Sequence, residues 1–149
     1  VSEGRLSSES KLKIRAMLRE VTEIESIGDS CYNLARTINH KYRGNEDFTE
    51  KQYSHIHQMF QLTDDALNQM VSLVEDEGHQ VDVNKSFNLE NEINNYRSQL
   101  KNQNVLDVNN KEYDYQMGVH YMDLIGECEK LGDYIVNVVE ARTDMKEKK

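Results

Sequence analysis

Two copies of one acidic pattern lie 104 residues apart in this chain. Residues 23–33 and 127–137 both read E-x-E-x-(I/L)-G-D-x-x-x-N, and the polar and glycine positions of this pattern are identical in the two copies. Residues four apart on a helix lie on nearly the same side of it, so each copy predicts a stripe of side-chain oxygens. The stripes are Glu25, Asp29 and Asn33 in the first copy and Glu129, Asp133 and Asn137 in the second.

Oxygen stripes of this kind could hold a cation. Two carboxylates one turn apart repel each other and destabilise a helix by a few tenths of a kcal/mol unless a cation lies between them. Carboxylate and amide oxygens suit Mg²⁺, Ca²⁺, Mn²⁺ or iron. We therefore expect two related metal sites, with the alternative that the acids pair with lysine or arginine of neighbouring helices.

The remaining glutamate of each copy is expected to point elsewhere. Glu23 and Glu127 precede the stripe acids by two residues, which is about 200° around a helix. We predict that Glu25 and Glu129 face inward, and that Glu23 and Glu127 do not. The mid-helix glycine of each copy predicts close approach of another helix or of a ligand, since such a glycine costs roughly 1 kcal/mol relative to alanine.

The composition predicts one all-α domain over residues 1–149. The chain has no proline, seven glycines and 30% charged residues, which favours long helices over strands and tight turns. Its net charge of −9, without a basic cluster outside the C-terminus, argues against a nucleic-acid partner. No nucleophile–base arrangement, phosphate loop or cofactor fingerprint is present, so we expect no enzyme.

Apolar periodicity predicts four long helices over residues 8–42, 49–77, 86–103 and 109–144. Short connections between them predict an antiparallel helical bundle. The second helix has the clearest heptad pattern, with apolar residues alternating three and four apart from residue 53 to 74. The apolar stripe expected to bury the first helix consists of Met17, Leu18, Val21, Ile24, Cys31, Ala35 and Ile38.

Capping signals define the predicted helix ends. Ser7 or Ser8 can cap the first helix, and Thr49 with Gln52 forms a capping box for the second. Gly44 and Gly78 are expected to end these two helices. Asn109 with Glu112 predicts the start of the fourth helix.

The two cysteines, Cys31 and Cys128, lie among apolar helix positions without C-x-x-C spacing. We interpret both as small buried hydrophobic residues of a protein in a reducing compartment. No apolar run approaches the roughly 20 residues of a membrane span. The chain begins with Val1, which would fit a part excised from a longer protein.

The motif copies resemble a known family. The stretches E-S-I-G-D-S-C-Y-N-L-A (residues 25–35) and E-K-L-G-D-Y-I-V-N-V-V (residues 129–139) are similar to the E/D-x-x-x-D signature of the PhoU family of phosphate-uptake regulators. That family is built from two repeated three-helix units. The resemblance implies that residues 8–42 match the last helix of an incomplete first repeat, and that residues 49–144 match the second repeat.

The resemblance also implies functional residues. Glu25 and Asp29, and separately Glu129 and Asp133, stand where the family binds metal ions, so Mg²⁺, Mn²⁺, iron or Zn²⁺ is the expected cofactor. The family takes further acids from the preceding helix, which Glu90 and Glu92 would supply here. Asn33 and Asn137 are the remaining candidate ligands of the stripes.

Similar domains form the C-terminal cytoplasmic part of bacterial sodium/phosphate cotransporter proteins. The resemblance therefore implies a regulatory domain of phosphate transport at the cytoplasmic face of the membrane, contacting the transporter portion of the same or another chain. A homodimer is a second expected assembly. The alternative is a metal-free helical module for protein interaction or dimerisation, in which the acids are merely solvated.

Overall fold

The computed structural model of the chain describes residues 7–43, 47–76 and 82–147, and nearly all of them are helical. The helices are α1 (Ser8–Arg43), α2 (Glu50–Glu75), α3 (Val83–Asn109) and α4 (Tyr115–Glu147). The described residues contain no strand. The predicted all-α class with four long helices is confirmed.

Helix α4 is the centre of the arrangement. It contacts each of the other helices, whereas α1 contacts α4 alone within the described ranges. Helices α2, α3 and α4 form a three-helix bundle, and α1 lies along another side of α4. Helices α1 and α4 are antiparallel, because Glu20 meets Arg142 whereas Ser30, farther along α1, meets Glu127, which lies earlier in α4.

The hydrophobic core lies inside the three-helix bundle. Burial of these apolar side chains is the main stabilising term, at about 25 cal/mol per Å² of apolar surface removed from water. Helix α4 contributes most of the fully buried side chains, as expected for the element with three neighbours. The least exposed core residues are Met59 and Ala66 of α2, Ile93 of α3, and Tyr121, Leu124, Ile125, Cys128, Leu131, Ile135, Val138, Val139 and Ala141 of α4.

The expected burial of α1 was wrong. All seven residues of the predicted apolar stripe are exposed to solvent, among them Leu18 at 63% and Val21 at 55%. Helix α1 instead turns Ala16, Glu20 and Ile27 toward α4. The reason is that α4 is the one helix that α1 contacts among the described residues, and α4 presents polar groups to it.

The first two helix starts are confirmed. The Ser7 hydroxyl accepts a hydrogen bond from the Ser10 amide at 3.1 Å and caps α1. The Thr49 hydroxyl and the Gln52 side chain exchange bonds of 3.1 and 3.0 Å with each other's amides, which is the expected capping box. The predicted stops at residues 44 and 78 lie outside the described residues.

The predicted boundary between the third and fourth helices was wrong. Helix α3 runs to Asn109, and α4 begins only at Tyr115, where the Asp114 carboxylate accepts a hydrogen bond from the Met117 amide at 2.8 Å. Asparagine has weak helix propensity, but the Asn104 side chain accepts a hydrogen bond from the Tyr113 hydroxyl at 2.6 Å. This tertiary bond favours the longer α3.

The two cysteines differ. Cys128 is fully buried as predicted, and burial raises the pKa of its thiol to about 12. Cys31 is exposed, because it belongs to the uncovered stripe of α1, so its predicted burial was wrong. Both thiols are free. Within the described ranges, no helix combines the length and apolar character that crossing a bilayer requires.

Candidate functional site between the two motif copies

The two motif copies face each other across the contact between α1 and α4. Because the helices are antiparallel, an approximate two-fold axis relates them, and each residue of the first copy corresponds to the residue 104 positions later. The first position of each copy therefore meets the last position of the other. This relationship organises the site.

The meeting positions form reciprocal hydrogen bonds. The Asn137 side-chain amide donates to Glu23 Oε2 at 3.2 Å, and the Asn33 amide donates to Glu127 Oε1 at 3.5 Å. The Ser30 hydroxyl donates to the same Glu127 oxygen at 2.6 Å and is only 1% exposed. A carboxylate that accepts several hydrogen bonds is well satisfied in a half-buried place.

The predicted orientation of the glutamates was therefore wrong for the first copy, and in the second copy it was wrong for Glu127. Glu23 is half-buried in the α1–α4 contact, whereas Glu25 is exposed. In the second copy Glu127 faces α1, and Glu129 faces α3 instead. Projection onto a helix separated the two glutamates of each copy correctly, but only the position of the neighbouring helix decides which one is covered.

The stripe acids of the second copy face α3. Glu129 forms an ion pair with Arg97 at 3.3 Å, and both side chains are about 30% exposed. Asp133 lies one turn later beside Glu90 of α3, close enough for a hydrogen bond between the two carboxyl groups. Of the sequence-predicted residues, the structure thus brings together Glu90 and Asp133 at the α3–α4 contact, while Glu129 of the same stripe pairs with Arg97.

The pKa of the Glu90 carboxyl is raised by its burial and by its position beside Asp133. Burial raises the pKa of the Glu90 carboxyl, and the neighbouring Asp133 raises it further, while a hydrogen bond from Asn94 lowers it. Two acids in contact disfavour each other's charged form, and a cation between them would reverse that effect. The pair is an oxygen-only donor set, which suits a hard divalent cation.

The other predicted ligands lie apart from this pair. Glu25 and Asp29 are exposed, and the described residues offer them no hydrogen bond or ion pair. Glu92 lies in the groove between α2 and α3, near His55 and Tyr96. Within the described residues, no group of three or more His, Cys, Asp or Glu side chains is arranged to hold a metal ion.

Sequence reasoning missed two residues of the site, Ser30 and Arg97. Ser30 belongs to a series of α1 residues with heptad spacing that faces α4. Helix contacts are usually predicted from apolar residues at this spacing, and the series was missed because several of its residues are polar. Arg97 follows Ile93 by four residues, so the two share one face of α3. The α1 series consists of Ala16, Glu20, Glu23, Ile27, Ser30, Leu34 and Thr37.

An open cavity adjoins the site at the junction of α1, α3 and α4. Its volume is about 470 Å³, and its lining is mainly polar. Its charged lining residues are three basic ones, Arg36, Arg97 and Lys130, and three acidic ones, Asp123, Glu127 and Glu129. The near balance of charges gives the cavity no strong preference for an anion or a cation.

Comparison with known protein families identifies the family of this chain's α2–α4 region. A family model described as the PhoU domain matches residues 56–141, which is more than half of the chain. The match extends from α2 into α4 and includes Glu90, Glu129 and Asp133, while α1 lies outside it. No curated protein and no solved structure matches the chain.

Proposed function

The chain belongs to the PhoU domain family, and from that premise we propose that it regulates phosphate transport by binding a divalent cation and contacting a transporter. The family match supports a role in the regulation of phosphate homeostasis. PhoU domains are regulatory rather than enzymatic, which agrees with a sequence that has no catalytic constellation. The cation and the transporter are the finer parts of the proposal.

The observation that carries the cation proposal is the contact between Glu90 of α3 and Asp133 of α4. A divalent ion such as Mg²⁺ or Mn²⁺ would neutralise this pair and cross-link the two helices. Glu129 would join the ligand set if it left Arg97. Glu25 and Asp29 of the first copy are the second proposed site, although no neighbouring helix among the described residues adds a ligand to them.

Calorimetric titration of the chain with Mg²⁺ and with Mn²⁺ tests the cation. The double variant Glu90→Gln/Asp133→Asn removes the carboxylate pair, and we expect it to lose most of the binding heat. The matched control is Glu112→Gln/Asp64→Asn, which removes the same charge from exposed positions. Equal heats in the wild type and the first variant would contradict the proposal.

The proposed partner is the membrane portion of a phosphate transporter, in the same or another chain, at the cytoplasmic face of the membrane. Cation binding would favour one packing arrangement of α3 against α4. That arrangement would set the shape of the surface that the bundle presents to the transporter. We expect the Glu90→Gln/Asp133→Asn variant to change phosphate uptake by cells that carry the domain, while the control variant leaves uptake unchanged. Unchanged uptake in both would argue against regulation through this pair.

A second candidate function, a metal-free interaction module, is favoured by two observations. Arg97 already neutralises Glu129 without a metal ion, and α1 leaves an apolar stripe uncovered. This function predicts no cation heat and partner binding that survives removal of the stripe acids. The calorimetric comparison therefore separates the two candidates.

A further inference from the structure

A mainly apolar cavity lies between α3 and α4 at the surface of the three-helix bundle. Its volume is about 510 Å³, which lies within the range of sites that bind small molecules. Part of its surface is open to solvent, since Val105 is 54% and Tyr115 is 74% exposed. The apolar lining consists of Val105 and Val108 of α3 and of Tyr115, Val119 and Met122 of α4.

The α3–α4 contact at this cavity is close, and hydrogen bonds hold it in place. A Cβ atom added at Gly118 would lie 2.9 Å from Cγ2 of Val108, so the two helices approach each other closely there. The Asn104 side-chain amide donates a hydrogen bond to the Gly118 carbonyl at 3.5 Å, and Asn104 accepts one from the Tyr113 hydroxyl at 2.6 Å. The cavity is therefore preformed, and a ligand need not order these helices when it binds.

The cavity has a polar end and an apolar end. Arg97, Lys101 and Val105 are spaced four apart on α3, so they lie along one side of that helix over about 12 Å. On the antiparallel helix α4 the same direction runs from Asp123 at the polar end to Tyr115 at the apolar end. This separation of charged and apolar groups matches a molecule with a charged head and an apolar tail.

The polar end adjoins the polar cavity at the junction of α1, α3 and α4, because Arg97, Met122 and Asp123 line both cavities. Two of the three acids of the polar cavity are already bound within the protein. Glu127 accepts a hydrogen bond from α1 at 2.6 Å, and Glu129 pairs with Arg97 at 3.3 Å. The third acid, Asp123, has no hydrogen bond or ion pair with another described residue.

Two basic side chains around the adjoining cavities are also unpaired. Lys101 of α3 and Arg36 of α1 are exposed, and the described residues give neither of them an ion pair or a hydrogen bond. The polar cavity alone is nearly balanced in charge, and Lys101, which lines the apolar cavity, adds a positive charge beside it. The polar end therefore favours an anionic group over a cationic one, by a modest factor because solvent screens exposed charges.

We propose that the apolar cavity binds a small amphipathic anion from solution, a medium-chain carboxylate or phosphate monoester. Its tail lies against Val105, Val108 and Val119, and its head lies beside Lys101, where the two cavities adjoin. Removal of the tail from water supplies most of the affinity, and the charged head fixes the orientation of the ligand. The proposal uses neither Glu90 nor Asp133 and is independent of cation binding.

Ligands that share one tail and differ in the head test the proposal. Decanoate, decanol and decyltrimethylammonium are titrated into the chain by calorimetry, at low salt and below the concentrations at which they form micelles. We expect decanoate to bind at least about threefold more tightly than decanol, and decyltrimethylammonium to bind most weakly. Equal affinities, a preference for the cation or no binding of decanoate would overturn the proposal. Binding to phosphatidylglycerol vesicles without binding of monomeric decanoate would assign this surface to a membrane and would also overturn it.

Two neighbouring substitutions show whether the tail lies in this cavity. Val105 and Leu106 are both 54% exposed, but only Val105 lines the cavity. We expect Val105→Glu to weaken decanoate binding at least about tenfold, because it places a carboxylate among the aliphatic side chains. Leu106→Glu is the matched control and should leave the affinity within about twofold. Equal losses in the two variants, or none in Val105→Glu, would contradict a tail bound here, and circular dichroism checks that both variants keep their helices.

Reversal of one charge tests the position of the head. Lys101→Glu should reverse the preference, so that decyltrimethylammonium binds more tightly than decanoate. Lys85→Glu is the charge-matched control, since Lys85 is exposed on the same helix and lies outside the cavity lining, and it should keep the wild-type order. An unchanged order in Lys101→Glu, or the same reversal in both variants, would overturn the placement of the head beside Lys101.

Discussion

Asn137 of α4 donates a hydrogen bond to Glu23 of α1 at 3.2 Å, and the two residues are the last and first positions of opposite copies of one motif. Asn33 and Glu127 repeat the arrangement at 3.5 Å. The first glutamate and the final asparagine of the motif therefore serve the contact between α1 and α4. The second glutamate and the aspartate of each copy lie on another side of the helix, away from the α1–α4 contact.

The Glu23–Asn137 bond should contribute measurably to stability. We expect Asn137→Ala to lower the free energy of unfolding by about 1 kcal/mol, because it leaves a half-buried carboxylate without this donor. Urea denaturation of the two single variants and of Glu23→Ala/Asn137→Ala would give the coupling energy. The control, Glu25→Ala, is exposed and should change stability by less than about 0.5 kcal/mol. A larger loss for Glu25→Ala would contradict the assigned orientation.

The stability of the protein should depend strongly on the pairing of Glu20 with Arg142. Glu20 is 6% exposed, and its Oε1 lies 2.7 Å from Arg142 Nη2. We expect Arg142→Met to cost about 3 kcal/mol, since it leaves a buried carboxylate unpaired, and Glu20→Met/Arg142→Met to recover most of that loss.

The surface pair of Arg19 with Glu140, at 3.0 Å, is the comparison for this prediction. Arg19→Met should cost no more than about 1 kcal/mol, because both side chains are exposed to solvent. Thermal and urea unfolding measure all three variants. Similar losses for Arg19→Met and Arg142→Met would show that burial of Glu20 does not set the cost.

Replacing Gly28 or Gly118 with alanine should change the free energy of unfolding in opposite directions. Gly28→Ala is expected to raise the free energy of unfolding by about 1 kcal/mol, because helix propensity improves and no atom lies within 4 Å of the new Cβ. Gly118→Ala should lower it by about 1–3 kcal/mol, since its Cβ would lie 2.9 Å from Cγ2 of Val108. Circular dichroism during urea denaturation measures both. Stabilisation by Gly118→Ala would contradict the close approach of α3 and α4 there.

His55 should make stability fall in mild acid. Burial lowers the pKa of its imidazole, the Lys51 charge lowers it further, and Asp107 partly opposes them. Below the ordinary pKa of 6.5, the unfolded state therefore binds more protons than the folded state. The contribution of neutral His55 to the free energy of unfolding is complete above pH 6.5, and it is lost as the pH falls through the lower pKa of the folded state.

The variant His55→Gln tests this dependence. Its melting temperature should fall less than that of the wild type between about pH 7.5 and pH 5. His57→Gln, at an exposed position, is the matched control and should keep the wild-type pH dependence. Parallel pH profiles for the wild type and His55→Gln would show that this group is not linked to folding.

Helix content and two of the helix starts followed from local chemistry. The Thr49–Gln52 capping box and the Ser7 cap act within one turn of helix, so their residues alone predict them. The end of α3 and the start of α4 did not follow, because Asn104 is satisfied by Tyr113 across the connection. Such a bond depends on where the two helices lie relative to each other.

The duplicated motif also has some features that follow from the residue order and others that depend on how the helices pack. Its duplication, its helical spacing and the separation of Glu23 from Glu25 to different sides of α1 are properties of the residue order. Which side is covered depends on the neighbouring helices: α4 covers Glu23, and α3 reaches Glu129 and Asp133 but not Glu25. The periodicity of a helix specifies which residues lie together, whereas packing between helices decides which of its faces meets a partner and which meets water.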